Sequence, residues 1–195
     1  MIQPKDLYRK LAMLLAQIDE GRDKQHYLLS VLATLNNSFI RELHITNGRL
    51  YAEDQERFLP MNVVDGGKRV RFADKRALDS EAARLVVENG TYIFNDPSMT
   101  INKQASLQGK HGAPAAFIVK DPNRQWIFTF ALESGWVRDE VEFCLNAIRA
   151  QLNFQLHIDA MKGDVQHASI IQQSLLPNSP PIIAGYEISA RSQPA

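Results

Sequence analysis

About forty consecutive residues, from Val137 to Leu176, contain no proline and a single glycine, Gly163. Proline removes a backbone donor and disrupts the interior of a helix, so this stretch predicts one long helix. Pro177 predicts where that helix ends. The whole chain has 195 residues, which suits one domain of ordinary size plus some extra chain.

The apolar pattern changes halfway along this predicted helix. A first stripe consists of Val141, Leu145, Ile148 and Leu152. A second stripe, which we call the seam, consists of Phe154, Ile158, Met161, Val165, Ala168, Gln172 and Leu175. The two stripes are out of phase by two residues, or roughly 200° around the helix.

Each stripe predicts a different contact. The first can cover a preceding sheet, whereas the seam has the heptad spacing of a coiled coil and needs a partner helix. We therefore predict a homodimer through the seam; the alternative is that the seam folds back on its own domain. Gln172 interrupts the apolar seam, either as a solvated position or as a polar residue that sets the register.

The residues before the long helix alternate between helical and extended patterns. Leucines at helical spacing predict a helix within 1–22, and Asp23 is a candidate cap for a second helix with an apolar stripe from Tyr27 to Leu35. Extended segments follow between Leu43 and Phe72. Asn47-Gly48 predicts a hairpin turn there, because both turn positions need positive φ.

A short helix and a hairpin complete the pattern. Asp79 or Ser80 is the expected cap of a helix that stops at Asn89-Gly90, and a short strand and a loop over 96–112 follow. Two strands then flank a turn at Asp121-Pro122-Asn123-Arg124. In the return strand Trp126, Phe128, Phe130 and Leu132 alternate onto one face, and Ile127, Thr129 and Ala131 onto the other.

Composition excludes several classes of function. Twenty-two basic residues balance 22 acidic ones, so no electrostatic feature favours nucleic acid or an anionic membrane. No apolar run approaches the roughly 20 residues that span a bilayer, and the charged N-terminus lacks the core of a signal peptide. We expect a soluble cytoplasmic protein, with no metal site because the histidines lack ligand spacing.

The single cysteine excludes an internal disulfide. Cys144 lies within the predicted long helix, near the first stripe, and has no His or Lys neighbour in the sequence. A buried, inert thiol is therefore expected rather than a reactive one. No nucleophile and base are paired in the sequence, so no catalytic residue is assigned.

The order of helices, strands, short helix, hairpin and long exit helix resembles that of a GAF domain over about residues 23–155. The segment from Glu88 to Asp96 resembles the GAF helix that ends at Gly and the strand that ends in Asn-Asp. Ala113 to Leu132 resembles the central hairpin, and Trp136 to Glu140 the polar start of the last helix. The resemblance implies an α+β fold, an antiparallel sheet flanked by helices and followed by a long C-terminal signalling helix.

GAF domains commonly bind a small ligand between the sheet and the helix and loops over it, and the resemblance leaves that ligand unnamed. The candidates to line such a pocket are Phe94, Asn95, Met99, Ile101, His111, Phe117, Phe128 and Phe130. The alternative is that these aromatic residues simply form the core. Leu132-Glu133 stands where cyclic-nucleotide GAF domains have Asn-Lys, which argues against a cyclic nucleotide. One cysteine disfavours the GAF-fold methionine sulfoxide reductases, which use several.

The last 25 residues resemble a different family. Ile171 to Pro177, Pro180-Pro181 and Gly185 to Ala195 resemble the start of the PPM-type serine/threonine phosphatase domain of the SpoIIE/RsbU group. The aspartates that bind Mn²⁺ or Mg²⁺ in that domain come later and are not in this sequence. The expected domains are therefore an N-terminal helix (1–22), a GAF-like sensor (23–155), a coiled-coil linker (156–177) and a truncated phosphatase start (178–195).

The predicted function is regulatory. Input to the sensor, from a small-molecule ligand or a partner, is expected to change how two linker helices pair, and thereby the activity of the attached phosphatase. The resemblance implies a phosphoprotein substrate for that parent enzyme and no hydrolase activity for this sequence alone. The alternative is a dimerisation scaffold with a filled core and no ligand.

Overall fold

The computed structural model describes residues 9–10, 12–13, 24–39, 43–61, 63–65, 68–70, 77–95, 113–175 and 184–185. Three helices are labelled here: α1 (Lys24–Ser38), α2 (Ser80–Asn89) and α3 (Arg138–Leu175). The strands are β1 (Ile45–Asp54), β2 (Arg57–Pro60), β3 (Val63–Asp65), β4 (Lys68–Val70), β5 (Thr91–Ile93), β6 (Ala113–Lys120) and β7 (Gln125–Leu132). In these residues no helix is both long and apolar enough to cross a membrane.

Five of the strands form one antiparallel sheet in the order β2-β1-β7-β6-β5, and β3 pairs with β4 separately. The β6–β7 hairpin is the predicted one. Asp121 accepts hydrogen bonds at Oδ1 from the backbone N–H groups of Asn123 and Arg124, at 2.7 and 2.8 Å. Its own N–H donates to the Arg124 carbonyl. These bonds hold the turn that sets the register of the central strands.

Both faces of the sheet are covered. One buried cluster joins α1 and the first half of α3 to side chains such as Phe117, Trp126 and Phe128. The other joins α2 to Tyr51, Ile118 and Ile127. The predicted alternation along β7 is therefore confirmed, and so is the fold class: an α+β domain with the GAF-like order of elements, followed by a long helix.

Helix α2 has the predicted boundaries, and its caps show why. Asp79 Oδ1 accepts from the backbone N–H groups of Glu81 and Ala82, at 3.0 and 3.1 Å, which satisfies two of the free donors at a helix start. Gly90 ends the helix with φ of 78°. The positive φ favours glycine here. The Arg149 guanidinium also lies where a Cβ on Gly90 would stand, so a larger residue would have to displace that side chain.

The predicted hairpin at Asn47-Gly48 is wrong. Strand β1 continues through these residues, with Asn47 at φ of 52° and a shift in its register against β7 between Thr46 and Arg49. The pair forms a β-bulge, and Gly48 N–H donates to Asn36 Oδ1 of α1 at 3.1 Å. The tight turn instead lies at Gln55-Glu56, where both residues have positive φ and Asp54 pairs with Arg57.

Candidate functional sites

The predicted ligand-pocket residues do not line one space. Phe117, Phe128 and Phe130 are fully buried on the face that α1 and α3 cover. Phe94 belongs to the cluster on the other face, beneath α2, and Asn95 is exposed. Met99, Ile101 and His111 lie outside the described residues. The interpretation of all eight as walls of a single pocket is corrected on this point, because the sheet separates the three phenylalanines from Phe94.

The three phenylalanines fill the space they occupy. Phe117 and Phe128 are direct cross-strand partners, and their ring centroids lie 4.8 Å apart with an interplanar angle of 9°. Phe130 lies 6.0 Å from Phe117 by the same measure. Stacked rings at these distances are packed aromatic core. This face therefore supports the alternative reading, in which the aromatic residues stabilise the domain rather than receive a ligand.

A polar cleft of about 280 Å³ lies beside the edge strand β5. The end of α2, the three β5 residues and the first turns of α3 form its walls, which are Asn89, Thr91, Tyr92, Ile93, Arg138 and Glu142. Arg138 donates a hydrogen bond through Nη2 to Asn95 Oδ1. Thr91 Oγ1 donates to Asn146 Oδ1 of α3 at 3.0 Å. The cleft thus connects the predicted pocket residue Asn95 to the start of the long helix.

The sequence reasoning missed this cleft. Arg138 and Glu142 are four residues apart and therefore lie on one face of a helix, which is a signal that the sequence does contain. Their proximity to β5 depends on how α3 crosses the sheet edge, and no local pattern encodes that crossing. Among the described residues, no group of three or more His, Cys, Asp or Glu side chains could hold a metal ion.

The two stripes of α3 have different environments. Val141, Leu145, Ile148 and Leu152 are all buried in the sheet-facing cluster, together with Cys144 and Leu156. Beyond Leu156 no described residue of α3 is buried. Leu156 is the first residue of the predicted linker, and it still packs into the domain.

Much of the seam is exposed. The exposed fractions are 60% for Phe154, 55% for Met161 and 63% for Val165. Ile158 is half-buried, Ala168 and Gln172 are exposed, and the side chain of Leu175 lies outside the described residues. An open and almost wholly apolar groove of about 440 Å³ is lined by Ile158, Met161, Lys162, Val165 and Gln166. In the described part of the chain, the seam does not fold back on its own domain.

Cys144 is buried, as expected. Burial, reinforced by the nearby carboxylate of Glu140, raises the pKa of its thiol to about 11. The thiolate is the reactive form of cysteine, so this residue is chemically quiet at neutral pH.

The described architecture is an α+β domain in which helices cover both faces of an antiparallel sheet. Comparison with solved structures found several that are similar to this chain. The GAF domain of a two-component sensor histidine kinase from Bacillus halodurans is 11% identical, with a TM-score of 0.43, over 84% of this chain and 99% of that chain. The GAF domain of a phosphoenolpyruvate-protein phosphotransferase from Coxiella burnetii is 12% identical, with a TM-score of 0.48, over 82% and 96%.

A third similar structure is fRMsr of Staphylococcus aureus in complex with substrate. It is 15% identical, with a TM-score of 0.48, over 80% of this chain and 99% of that chain. No family model matches the sequence, and no curated protein matches it. At these identities and TM-scores the likeness carries no conclusion about this chain.

Proposed function

We propose that this chain is a regulatory sensory module that dimerises through the seam of α3. The observation that carries the proposal is the contrast along that one helix: a buried stripe up to Leu156, then an exposed apolar heptad pattern. Apolar side chains at a and d positions are stabilised when a partner helix removes them from water. A second copy of the chain supplies a partner with the same pattern.

The dimer is tested by charge substitutions within and outside the seam. Ile158→Asp combined with Val165→Asp places unpaired charge in a dry interface, which costs several kcal/mol. Light scattering at tens of micromolar should show a dimer for the wild type and a monomer for this variant. His167→Asp combined with Ile170→Asp is the matched control, because it adds the same charge off the seam, and it should remain dimeric. A monomeric wild type would refute the proposal.

The finer part of the proposal is that the module controls an attached metal-dependent phosphatase. It depends on the resemblance of residues 171–195 to the start of a PPM-type phosphatase domain. Pairing of two α3 helices would set the activity of that domain, which acts on phosphoserine or phosphothreonine in a protein. The chain itself is expected to lack hydrolase activity, and turnover of nitrophenyl phosphate with Mn²⁺ by the pure protein would contradict this.

Insertions in α3 of the parent protein test the control mechanism. One residue inserted at Gly163 rotates everything downstream by about 100° and should uncouple input from phosphatase output. Four residues restore the face to within about 40° and should partly rescue the coupling. If the two insertions behave alike, the helix is a passive tether and this mechanism is wrong.

For the ligand we propose two alternatives. A filled core between α1, α3 and the sheet favours a scaffold without a ligand on that face. The polar cleft at Arg138 favours a small polar ligand near Asn95. A thermal-shift screen of the wild type against Arg138→Ala separates them, because a cleft ligand should stabilise only the wild type, whereas a scaffold should respond to no compound.

A further inference from the structure

We propose that the second copy docks on α3 in parallel and in register, so that each seam residue meets its own counterpart from Phe154 to Gln172. This inference rests on the proposed dimer and goes beyond it by fixing orientation and register. The 4,3 spacing of the seam places Phe154, Met161, Ala168 and Leu175 at d positions, and Ile158, Val165 and Gln172 at a positions.

Gln172 distinguishes the two orientations. In the parallel arrangement its amide meets the same amide of the second copy, and two amides can hydrogen-bond to each other. In the antiparallel arrangement centred on residue 163, positions 161 and 165 face each other, and Gln172 lies opposite Phe154 of the second copy. An aromatic ring offers the amide no equivalent partner, and an unpaired polar group at an interface is costly.

The charged residues beside the seam also favour the parallel arrangement. Lys162 follows a d position and Asp164 precedes an a position, so both border the seam. The antiparallel arrangement has its axis at residue 163, which brings Lys162 close to Lys162 of the second copy and Asp164 close to its counterpart. Like charges held together are destabilising. The parallel arrangement instead places Lys162 beside His157 and Asp164 beside Ser169.

A shifted antiparallel register avoids those like charges and pairs as many seam positions, but it leaves Phe154 without an opposite residue in the helix. Pairing position 165 with 168 puts Phe154 opposite position 179, which lies beyond the end of α3 at Leu175. Phe154, which is 60% exposed, would then stay uncovered. Only the parallel, in-register contact covers every seam position of the helix and pairs the amides.

The same outer face continues towards the start of α3. Phe143 is 42% exposed and lies eleven residues before Phe154, which is three turns with an angular offset of about 20°. Two alanines lie between them on this face: Ala150 is exposed, whereas Ala147 is buried in the sheet-facing cluster. A parallel copy presents Phe143 at the same height, so the two Phe143 side chains can form a second contact, separate from the seam.

Cysteine cross-linking tests the orientation. A disulfide needs Cα atoms within about 7 Å, which Gln172→Cys reaches only in the parallel dimer; in the antiparallel one the two thiols are about 27 Å apart along the axis. His167→Cys is the control, because its thiol faces away from the seam. A mild thiol oxidant should give a covalent dimer with Gln172→Cys alone, and buried Cys144 should leave the wild type uncross-linked.

The outcomes separate the two proposals. A monomeric wild type in light scattering overturns both the dimer and its orientation. A dimer that is not cross-linked through Gln172→Cys, or is cross-linked equally through His167→Cys, overturns the parallel register alone. Phe143→Ser should raise the dimer dissociation constant about tenfold or more through lost apolar burial. Val137→Ser, which changes an exposed apolar residue before α3, should leave the dimer dissociation constant unchanged. If Phe143→Ser also leaves it unchanged, the contact between the two copies does not extend beyond the seam.

Discussion

The two halves of α3 are one continuous helix in two different environments. The first half, to Leu156, packs against a sheet that the same chain supplies. The second half carries apolar side chains at equally regular spacing, and most of them are exposed. Amphipathic periodicity therefore indicates that one face of a helix packs against something. Whether that is the same domain or another molecule depends on how far the helix extends beyond its domain.

The largest expected difference between the halves concerns core truncation. Leu152→Ala removes buried methyl groups from the packed half and should lower the free energy of unfolding by about 2–5 kcal/mol. Ile170→Ala, in the exposed half and off the seam, should change it by no more than about 0.5 kcal/mol. Urea denaturation measures both. Equal effects would mean that the second half is packed against the domain.

The reactivity of cysteine thiols should also differ between the two halves of α3. With a pKa of about 11 against a usual 9.0, the thiolate fraction of Cys144 at neutral pH is lowered about hundredfold, and burial further hinders access. A thiol introduced by His167→Cys in the exposed half should therefore react with a maleimide or aromatic disulfide far faster than Cys144. Comparable rates would show that the packed half opens frequently.

Two glycine substitutions should have opposite signs. Gly163 lies in the exposed half, and a Cβ there meets nothing within 4 Å, so Gly163→Ala should stabilise the helix by about 1 kcal/mol. Gly90→Ala, beside the packed half, should destabilise the domain because φ is 78° and Arg149 occupies the space. Thermal unfolding of the two variants gives the comparison; stabilisation by Gly90→Ala would contradict the packing of Arg149 on α2.

The smallest expected effect is a pH dependence of the stability of the domain, which should leave the exposed half of α3 unaffected. Burial opposes ionisation of Asp121, but its hydrogen bonds to Lys24, Asn123 and Arg124 outweigh that effect and lower its pKa below 3.8. A lowered folded-state pKa stabilises the fold above the unfolded pKa, and this contribution is lost as the pH falls through the folded value. Asp121→Asn should therefore lower stability at pH 7 and flatten its decline below pH 4. Dimerisation should not respond to this change.

The sequence correctly predicted those elements that are stabilised by interactions between residues close together in the chain. The Asp79 cap, the stop at Gly90 and the turn at Asp121 are each fixed by side-chain or backbone bonds within a few residues. The long helix also followed from the absence of proline. Each of these could be predicted because no distant contact competes with it.

The errors occurred where tertiary contacts override a local preference. Asn47-Gly48 has the composition of a tight turn, but Gly48 is held by Asn36 of α1 and β1 pairs on both sides of the bulge. Gln55 and Glu56 adopt positive φ despite having no special preference for it. Their strain is imposed by the register of β1 and β2.

The candidate ligand site shows the same limit. Alternation along β7 separated Phe128 from Ile127 correctly, but it did not say which face α2 covers. The candidates therefore combined residues from both faces of the sheet: Phe94 beneath α2, and the three phenylalanines on the face that α1 and α3 cover. The cleft around Arg138 could not be predicted because its walls join the end of α2 and the adjacent β5 to the start of α3, which is distant in sequence.

The opposed faces of α3 have a consequence for regulation. Because the sheet lies against one side of the helix and the seam faces the other, the seam and the cleft at Arg138 have no residue in common. Binding at the cleft and pairing at the seam then share no atoms, so a coupling free energy between them requires that one event change the arrangement or the mobility of the helix. A ligand that binds equally well to monomer and dimer would be sensed by nothing downstream, however tightly it bound.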